Sequence, residues 1–562
     1  MFNATNATLP SDTPSFTTIW SLPTLSTCFL ALTCLVLASK VADTVGGLFS
    51  NEIAATDAKI FAALPKVGTP YKADRLRILD FLVPWSLIAR LRSLVDTESL
   101  LEEGYQRFGK SGQPFILPSL WSSTGWVVLP RSMLHLLNRS RQQLSTYDTL
   151  IDAILLQSLG LSSHAVAHRD IFRKRLNASN VGKVVGQSSE EVAHAISACW
   201  GTGNDAGNGD DAVWKTFGAW DVGQKIILRV GLRHVLGTPL CRNNEFVELA
   251  RKYGETLSSN AVFANALPPG ISAVAGWALH TRARFLLAKL DRLLIPHIED
   301  RIRLWRETDD EDKLPQDTLQ RYIEKYATKD PDGPDATQIL CRSLLLAFVS
   351  LFGMSWAFVH TLLHIYGADD SQDIISTIHE ECARVSQKYG GTLDAPGAIA
   401  DMVRLDSAIR ESMRMSDPFN HFLSLEVLGG EGLDIGLGGG LRVLPGSRIH
   451  PTYPLRSFHM DPDIYTKPHK FDAFRFSRAI EEEKDKADQE RMMRCTPTFT
   501  VFGYGQHECG GRFLIDQVVK LAIAKIVLEY DVEVVRKPGK RWALLQCYMP
   551  PMFAQIRIRR KE

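Results

Sequence analysis

No CxxC pair occurs among the nine cysteines, which are odd in number and scattered from Cys28 to Cys547. That spacing argues against both a disulfide framework and a structural zinc site, so most of these thiols read as reduced, buried, small apolar side chains. An excess of charge is missing too: 64 Lys and Arg stand against 63 Asp and Glu, a net +1. Such a balance offers no electrostatic case for nucleic acid as the main partner. Neither an internal repeat nor a long disordered tract interrupts the 562 residues, of which 45% are apolar and 23% charged. What remains is the composition of a folded globular protein, long enough for one large enzyme domain or two ordinary ones.

Basic residues are absent from the amino terminus as far as Lys40, and Ile19 to Ser39 (IWSLPTLSTCFLALTCLVLAS) carries no charge at all. That run has the length of one membrane-spanning helix, and the lack of a basic n-region fits a retained anchor better than a cleaved signal peptide. Lys40, Lys59, Lys66, Lys72, Arg75 and Arg77 follow it. By the positive-inside rule the tail then faces the lumen and the large domain the cytosol. The expected organisation is a lumenal tail at 1–18, an anchor at 19–39, a linker at 40–62 and one domain at 63–562. The tail holds two glycosylation sequons, at Asn3 and Asn6, as a lumenal segment allows.

Helical patterns dominate from Ser99 to about Met415, glycine-rich strand-and-turn text follows from Leu428 to Ile449, and a helical run returns after Arg512. The fold class is therefore mainly α with a small β portion. Three polar inserts, Gly201 to Asp211, Glu307 to Asp317 and Glu481 to Arg491, read as solvated loops or helix faces. Leu344 to Gly367 has no Lys, Arg, Asp or Glu, yet carries His360 and His364 one helical turn apart. By pattern it is a second membrane span, a metal-binding helix or the buried axis of a large fold.

One cysteine has a distinctive setting. Cys509 lies among Gly503, Gly505, Gly510 and Gly511, directly before an amphipathic run. Glycines permit tight turns and close approach of a flat ligand, and a thiol at a helix start can be held as thiolate by orphan N–H groups and the dipole. A thiolate facing an open metal position is the arrangement of haem-thiolate enzymes, while a buried structural cysteine and a redox thiol fit the local chemistry equally.

The wider pattern is more specific. Phe502-x-x-Gly505-x-His507-x-Cys509-x-Gly511 resembles the haem-binding loop of the cytochrome P450 family. Glu411-Ser412-Met413-Arg414 looks like that family's ExxR helix, and Arg475, within FDAFRF, stands in the place of its downstream arginine. The resemblance implies haem b with Cys509 as axial iron ligand, Phe502 packed on the ligand loop, His507 on a haem propionate, and a charge triad of Glu411, Arg414 and Arg475 behind the haem. It implies a P450 fold behind one transmembrane helix, in the endoplasmic reticulum membrane. It also implies electrons from an NADPH–cytochrome P450 reductase. LPKVGTP, VVLPRSMLHLL, HRDIFRKRLNASNVGKV and GTPLCRNNEF look like fungal microsomal members of secondary metabolism that oxidise diterpenoids of the ent-kaurene and gibberellin type, or other terpenoid and polyketide skeletons. Cys241, in the last of these, reads as a packed structural residue.

Within the family, Leu344 to Gly367 falls where the helix crossing the distal face of the haem belongs. Members usually carry an acid or amide followed by Thr there, which serve proton delivery. Aligned on Phe348, Ser355 and His360, that pair falls at Phe352-Gly353, with Met354 in place of a second Thr. Ser350 and Ser355, within a turn, are the nearest hydroxyls that could hold a water, although helix serines more often bond their own i−4 carbonyl. His360 reads as core packing rather than a ligand. Gly510 replaces the usual Pro after the ligand, and Glu508 a small residue. The expected function is a monooxygenase acting on an apolar natural product; the alternative, drawn from the missing acid–Thr pair, is a non-oxygenative rearrangement, dehydration or cyclisation on the same haem-thiolate site.

Overall fold

The structure, a computed structural model, describes residues 52–68, 85–119, 125–140, 142–146, 176–201, 213–265, 276–308, 310, 313–326, 336–421, 424–436, 440–447, 449–482, 488–544 and 547–561. The segments read as tail and anchor, with residues 40–51 of the linker, lie outside them. The compact unit begins at Glu52, so the expected linker ends earlier than residue 62. A helix at Glu52–Ala63 buries Ile60 fully and packs on the strand Arg442–Val443. Ser447 donates to Asp57 on its polar side at 2.5 Å. Apolar burial, which the sequence window around this short helix did not flag, makes it part of the domain.

The uncharged stretch forms the last three quarters of a helix of 32 residues, Ala336–Gly367, about 48 Å long. From Met354 to Leu363 its side chains are buried without exception, so the span reading is replaced by a helix enclosed in protein. Its closest neighbour is the helix Ala219–Val235. A Cβ on Gly223 would stand 2.3 Å from Val359 Cγ2, so glycine alone permits that approach. On other sides it meets Val403–Met415, which holds the ExxR text, and Arg512–Glu529, which follows Cys509 and is called the ligand helix below. These elements share the largest apolar core, with Ile409, Val518, Ala522, Ile523 and Ile526 fully buried.

A second core lies along Thr281–Glu307, where Leu290, Leu294 and Ile298 recur every four residues and are fully buried, the stripe a helix of period 3.6 produces. Cys241 is fully buried here, as the expectation of a packed residue requires. The β portion is small. Phe115–Leu117 pairs antiparallel with Trp126–Val128, which pairs parallel with His450–Thr452. Gln555–Arg560 lies between Lys215–Gly218 and Tyr530–Arg536, and the latter continues directly from the ligand helix.

Two of the polar inserts are not wholly solvated. Asp317, at the end of one, is buried and takes both guanidinium nitrogens of buried Arg301 at 2.9 and 3.0 Å. The end of another supplies the Gln489 and Arg491 carbonyls to the fully buried Arg410, whose guanidinium lies 4.5 and 4.2 Å from the rings of Phe476 and Phe499. Composition cannot distinguish a polar residue that faces water from one that satisfies a buried charge.

Another buried charge ties the ligand helix to the ExxR helix. Lys520 Nζ lies 2.6 Å from Asp406 Oδ1 and 2.8 Å from Asp516 Oδ1, all three residues buried. Lys520→Met should cost about 3–5 kcal/mol at neutral pH, because two buried carboxylates lose their counter-charge. Burial pushes the Asp516 carboxyl up to about 6 despite the lysine. A carboxyl with a higher pKa folded than unfolded contributes stability below its unfolded value, about 4, and loses that contribution as pH rises through the folded value. The deficit of the variant should therefore shrink on acidification, which urea unfolding at about pH 5 and about pH 7.5 measures.

Candidate active site

Phe499 to Arg512 builds the site around Cys509. Gly503 N–H donates to Thr500 O at 2.9 Å, and Cys509 N–H to Phe502 O at 2.7 Å, closing a loop over the short turn Gly505–His507. Gly503 and Gly505 have φ of +86° and +61°, the region glycine adopts without strain. At Gly505 the close approach is to protein rather than ligand: a Cβ would stand 2.4 Å from Asn138 Oδ1 and 2.8 Å from Leu137 O. Phe502 is buried in the main core, and His507 is buried two residues before the cysteine.

Cys509 is the one exposed cysteine among the described residues, although protein encloses its thiol on most sides. Enclosure pushes the thiol pKa up, while the N–H groups of Gly511 and Arg512 and the Arg512 guanidinium pull it down. The helix-start donors expected from sequence are thus present, but burial outweighs them. A bound cation would supply the remaining stabilisation, since a coordinating thiol is deprotonated outright. Glu508 is spoken for by Arg512, 2.7 Å away and one turn on, and its side chain is 26% exposed. Its charge is therefore largely compensated where it stands. Gly511 leaves the sulfur uncrowded, an added Cβ there lying 3.8 Å from it, and beside Gly510 an added Cβ meets nothing within 4 Å.

Behind the loop, Glu411 is fully buried and engages both arginines named from sequence. Arg414 donates to its two oxygens at 2.8 Å each, in the bidentate fork, and Arg475 Nε to Oε2 at 3.0 Å. The spare guanidinium donors find carbonyls: Arg414 reaches His459 O and Pro468 O, and Arg475 reaches Thr466 O. The two cations with one carboxylate are tolerated because the fully buried Arg414 spends its donors on Glu411, two carbonyls and Met460 Sδ, while Arg475 is only half-buried.

On the central helix, Phe352 and Gly353 are both half-buried. An added Cβ on Gly353 meets nothing within 4 Å, so this face borders open space. The Phe352 ring lies 5.5 Å from Trp356 and 6.5 Å from Phe419, which belongs to the segment after the ExxR helix. Trp356 Nε1 donates to Ser416 O, fastening that segment to the helix. The Ser350 side chain lies outside the described residues. Ser355 is fully buried and its Oγ has no partner among the described residues, not even the i−4 carbonyl. At 100° per residue it stands about 160° from Gly353, on the side of Phe358 and Val359 that meets Gly223. It is therefore turned away from the open face. His360 is buried against Trp356, ring centroids 4.8 Å apart, with its pKa driven well below the usual value by burial. His364 accompanies it, with Nδ1 2.8 Å from Ser412 Oγ. No cluster of three metal-ligating side chains occurs among the described residues.

A loop that presents a thiol at a helix start, uncrowded by two glycines, and a glycine-opened helix face in the same core fit a flat, metal-centred group. Comparison with known proteins decides which. Residues 164–551 match the family model for cytochrome P450. The chain belongs to the cytochrome P450 family. Family and fold imply haem b held by a cysteine thiolate. Among its relatives are the cytochrome P450 monooxygenase gloP of Glarea lozoyensis, 30% identical over 84% of this chain and 88% of the relative. The cytochrome P450 monooxygenase htyF of Aspergillus rugulosus is also 30% identical, over 80% of this chain and 66% of the relative. The fold is that of a crystal structure of a cytochrome P450 (CYP102L1), with a TM-score of 0.60 at 15% identity, covering 89% of this chain and 99% of that one. By its family this P450 is a monooxygenase, a haem-dependent oxidoreductase.

Sequence reasoning did not assign roles to Trp356, His459, Arg410 or Lys520. His459 and Asp417 stand inside or beside the text that carried the resemblance, but nothing local marks a residue whose partner is 42 positions away.

Proposed function

We propose that Cys509 is the axial ligand of haem b and that the enzyme hydroxylates, epoxidises or desaturates a small apolar natural product of the terpenoid, meroterpenoid or polyketide class. The observation that carries this reading is the Cys509 loop, with Phe502 O holding the Cys509 N–H and the Gly511 and Arg512 N–H groups on the sulfur. When bound, the haem supplies dioxygen activation favoured by the thiolate. The chain's own residues do the rest. Phe352, Trp356 and Phe419 form an aromatic wall that excludes water and suits an apolar skeleton. Gly353 leaves room beside it, and His507 is placed for a propionate. Glu411, Arg414 and Arg475 fix the scaffold behind the ligand loop. A membrane-bound NADPH–cytochrome P450 reductase supplies the electrons. A single anchor at 19–39 would hold the domain on the cytosolic face of the endoplasmic reticulum, in keeping with the basic residues that follow it.

Membranes carrying the protein and its reductase, given candidate terpenoid and polyketide intermediates under labelled dioxygen, test the reaction class. One labelled oxygen in a hydroxylated or epoxidised product supports oxygenation. Turnover without NADPH would sink it. A second reading, rearrangement or cyclisation without net oxygenation, is favoured by one observation: the described side chains on the open face of the central helix next to Gly353 offer no acid, amide or hydroxyl. Replacing Phe352 by His together with Gly353 by Thr restores such a pair. Under the oxygenase reading the double variant should release less peroxide per NADPH consumed. Under the rearrangement reading the product distribution should change while NADPH use stays at background.

A further inference from the structure

His459 and Asp417 are buried side chains that no part of the proposed chemistry uses, and they lie between the ExxR helix and the ligand loop. Both are fully buried. His459 Nδ1 is 3.0 Å from each carboxylate oxygen of Asp417, and His459 Nε2 is 3.2 Å from the backbone nitrogen of Thr500. A backbone N–H only donates, so Nε2 must accept. The imidazole is then neutral, with its single proton on Nδ1 and donated to Asp417. The partners alone thus select one tautomer and one ring orientation, the arrangement in which a carboxylate fixes a histidine for work at its other nitrogen.

Asp417 is in turn immobilised through its own backbone and its neighbours. Arg541 donates to Met415 O and Asp417 O, Tyr548 N–H to Pro418 O, and Trp356 Nε1 to Ser416 O. His459 is held at its carbonyl by Arg414, the arginine of the buried triad. At the other end the restraint passes straight into the loop. Thr500 O accepts Gly503 N–H, which opens the turn, and two residues beyond Thr500 the carbonyl of Phe502 accepts Cys509 N–H.

We propose that the Asp417–His459 pair is a positioning device for the ligand loop: through the Thr500 N–H it sets where Phe502 O, and hence the Cys509 sulfur, stands. The inference rests on Cys509 being the haem ligand. Loss of the Thr500 restraint removes a hydrogen bond that ties the start of the loop to a buried side chain outside it. The sulfur then drifts from the iron, and the thiolate-ligated form converts faster to the form that has lost it. Outer-shell partners of metal ligands typically change affinity or activity by about 10–100-fold when removed, so a conversion roughly ten-fold faster is expected for His459→Ala.

The test follows the carbon monoxide difference spectrum of the reduced, full-length holoprotein over time, together with its thermal midpoint. Arg301→Met is the control, being destabilising because buried Asp317 loses its counter-charge, and standing about 200 positions before the loop in sequence. His459→Ala should lose the thiolate band about ten times faster than that control at matched thermal midpoint. His459→Gln, which keeps a side-chain acceptor for Thr500, should recover most of the difference. Should His459→Ala yield no holoprotein, Asp417→Asn, which keeps the volume but weakens the hold on the tautomer, should convert faster than the control. Equal rates in the His459 or Asp417 variants and the matched control would overturn the proposal, leaving only a structural role. A wild-type protein with no thiolate band would instead break the assignment of Cys509 itself, so the two failures are distinguishable.

Discussion

Replacing Cys509 by Ser should abolish the thiolate signature in the reduced carbon monoxide spectrum and reduce turnover to background, while the protein stays folded. The second half of that expectation follows from the surroundings. The residue borders solvent although its thiol is largely enclosed, and the exchange of sulfur for oxygen removes no carbon atom from the packing, while Phe502 O still accepts the backbone N–H of residue 509. The same replacement at Cys241 or Cys382, both buried in core clusters, would instead lower stability and leave the spectrum in place. Circular dichroism beside the spectrum separates the two outcomes. A surviving thiolate band in the Cys509 variant would remove the ligand assignment.

Glu411→Gln should be nearly as damaging by a different route. The carboxylate is the one acid facing Arg414 and Arg475 in the buried triad. Its neutralisation strands the fully buried Arg414, for which the loss is about 3–5 kcal/mol, and weakens the hold on half-buried Arg475, against a total stability of about 5–15 kcal/mol for a domain. Holoprotein yield should collapse and the urea midpoint should fall sharply. Arg92→Ala, which breaks the exposed pair with Asp96, should shift the midpoint by about 0.5 kcal/mol or less. Comparable effects from the two changes would show that burial does not govern the triad.

Much of this site was legible in the sequence for a physical reason: its key elements are local. The loop Phe502 to Gly511 and the pair Glu411 and Arg414 each lie within one short segment, so the resemblance to the family rests on near neighbours, although the local chemistry of Cys509 alone fitted a structural or redox thiol equally. Arg475 joined them only by resemblance, 64 positions from Glu411, and the geometry supplied the contact. The polar inserts show the opposite case. Asp317 and Arg491 look like surface residues until the buried arginine that each serves is in view. Ser355 illustrates the same gap at a single position, since helix spacing put it near Gly353 in sequence but on the far side in angle.

The sequence by itself determined the fold class through helical period, and its resemblance to the family marked the Cys509 loop and the ExxR helix, whose residues are near neighbours. It also determined the anomaly at Phe352-Gly353. Only the tertiary structure decided that the uncharged helix is an enclosed axis, that Glu508 is compensated by Arg512, and that His459, held by Asp417, reaches Thr500 of the ligand loop. Those outcomes depend on which buried donor meets which distant acceptor. In an interior where each unpaired polar group costs about 1–3 kcal/mol, the folded arrangement as a whole makes that choice.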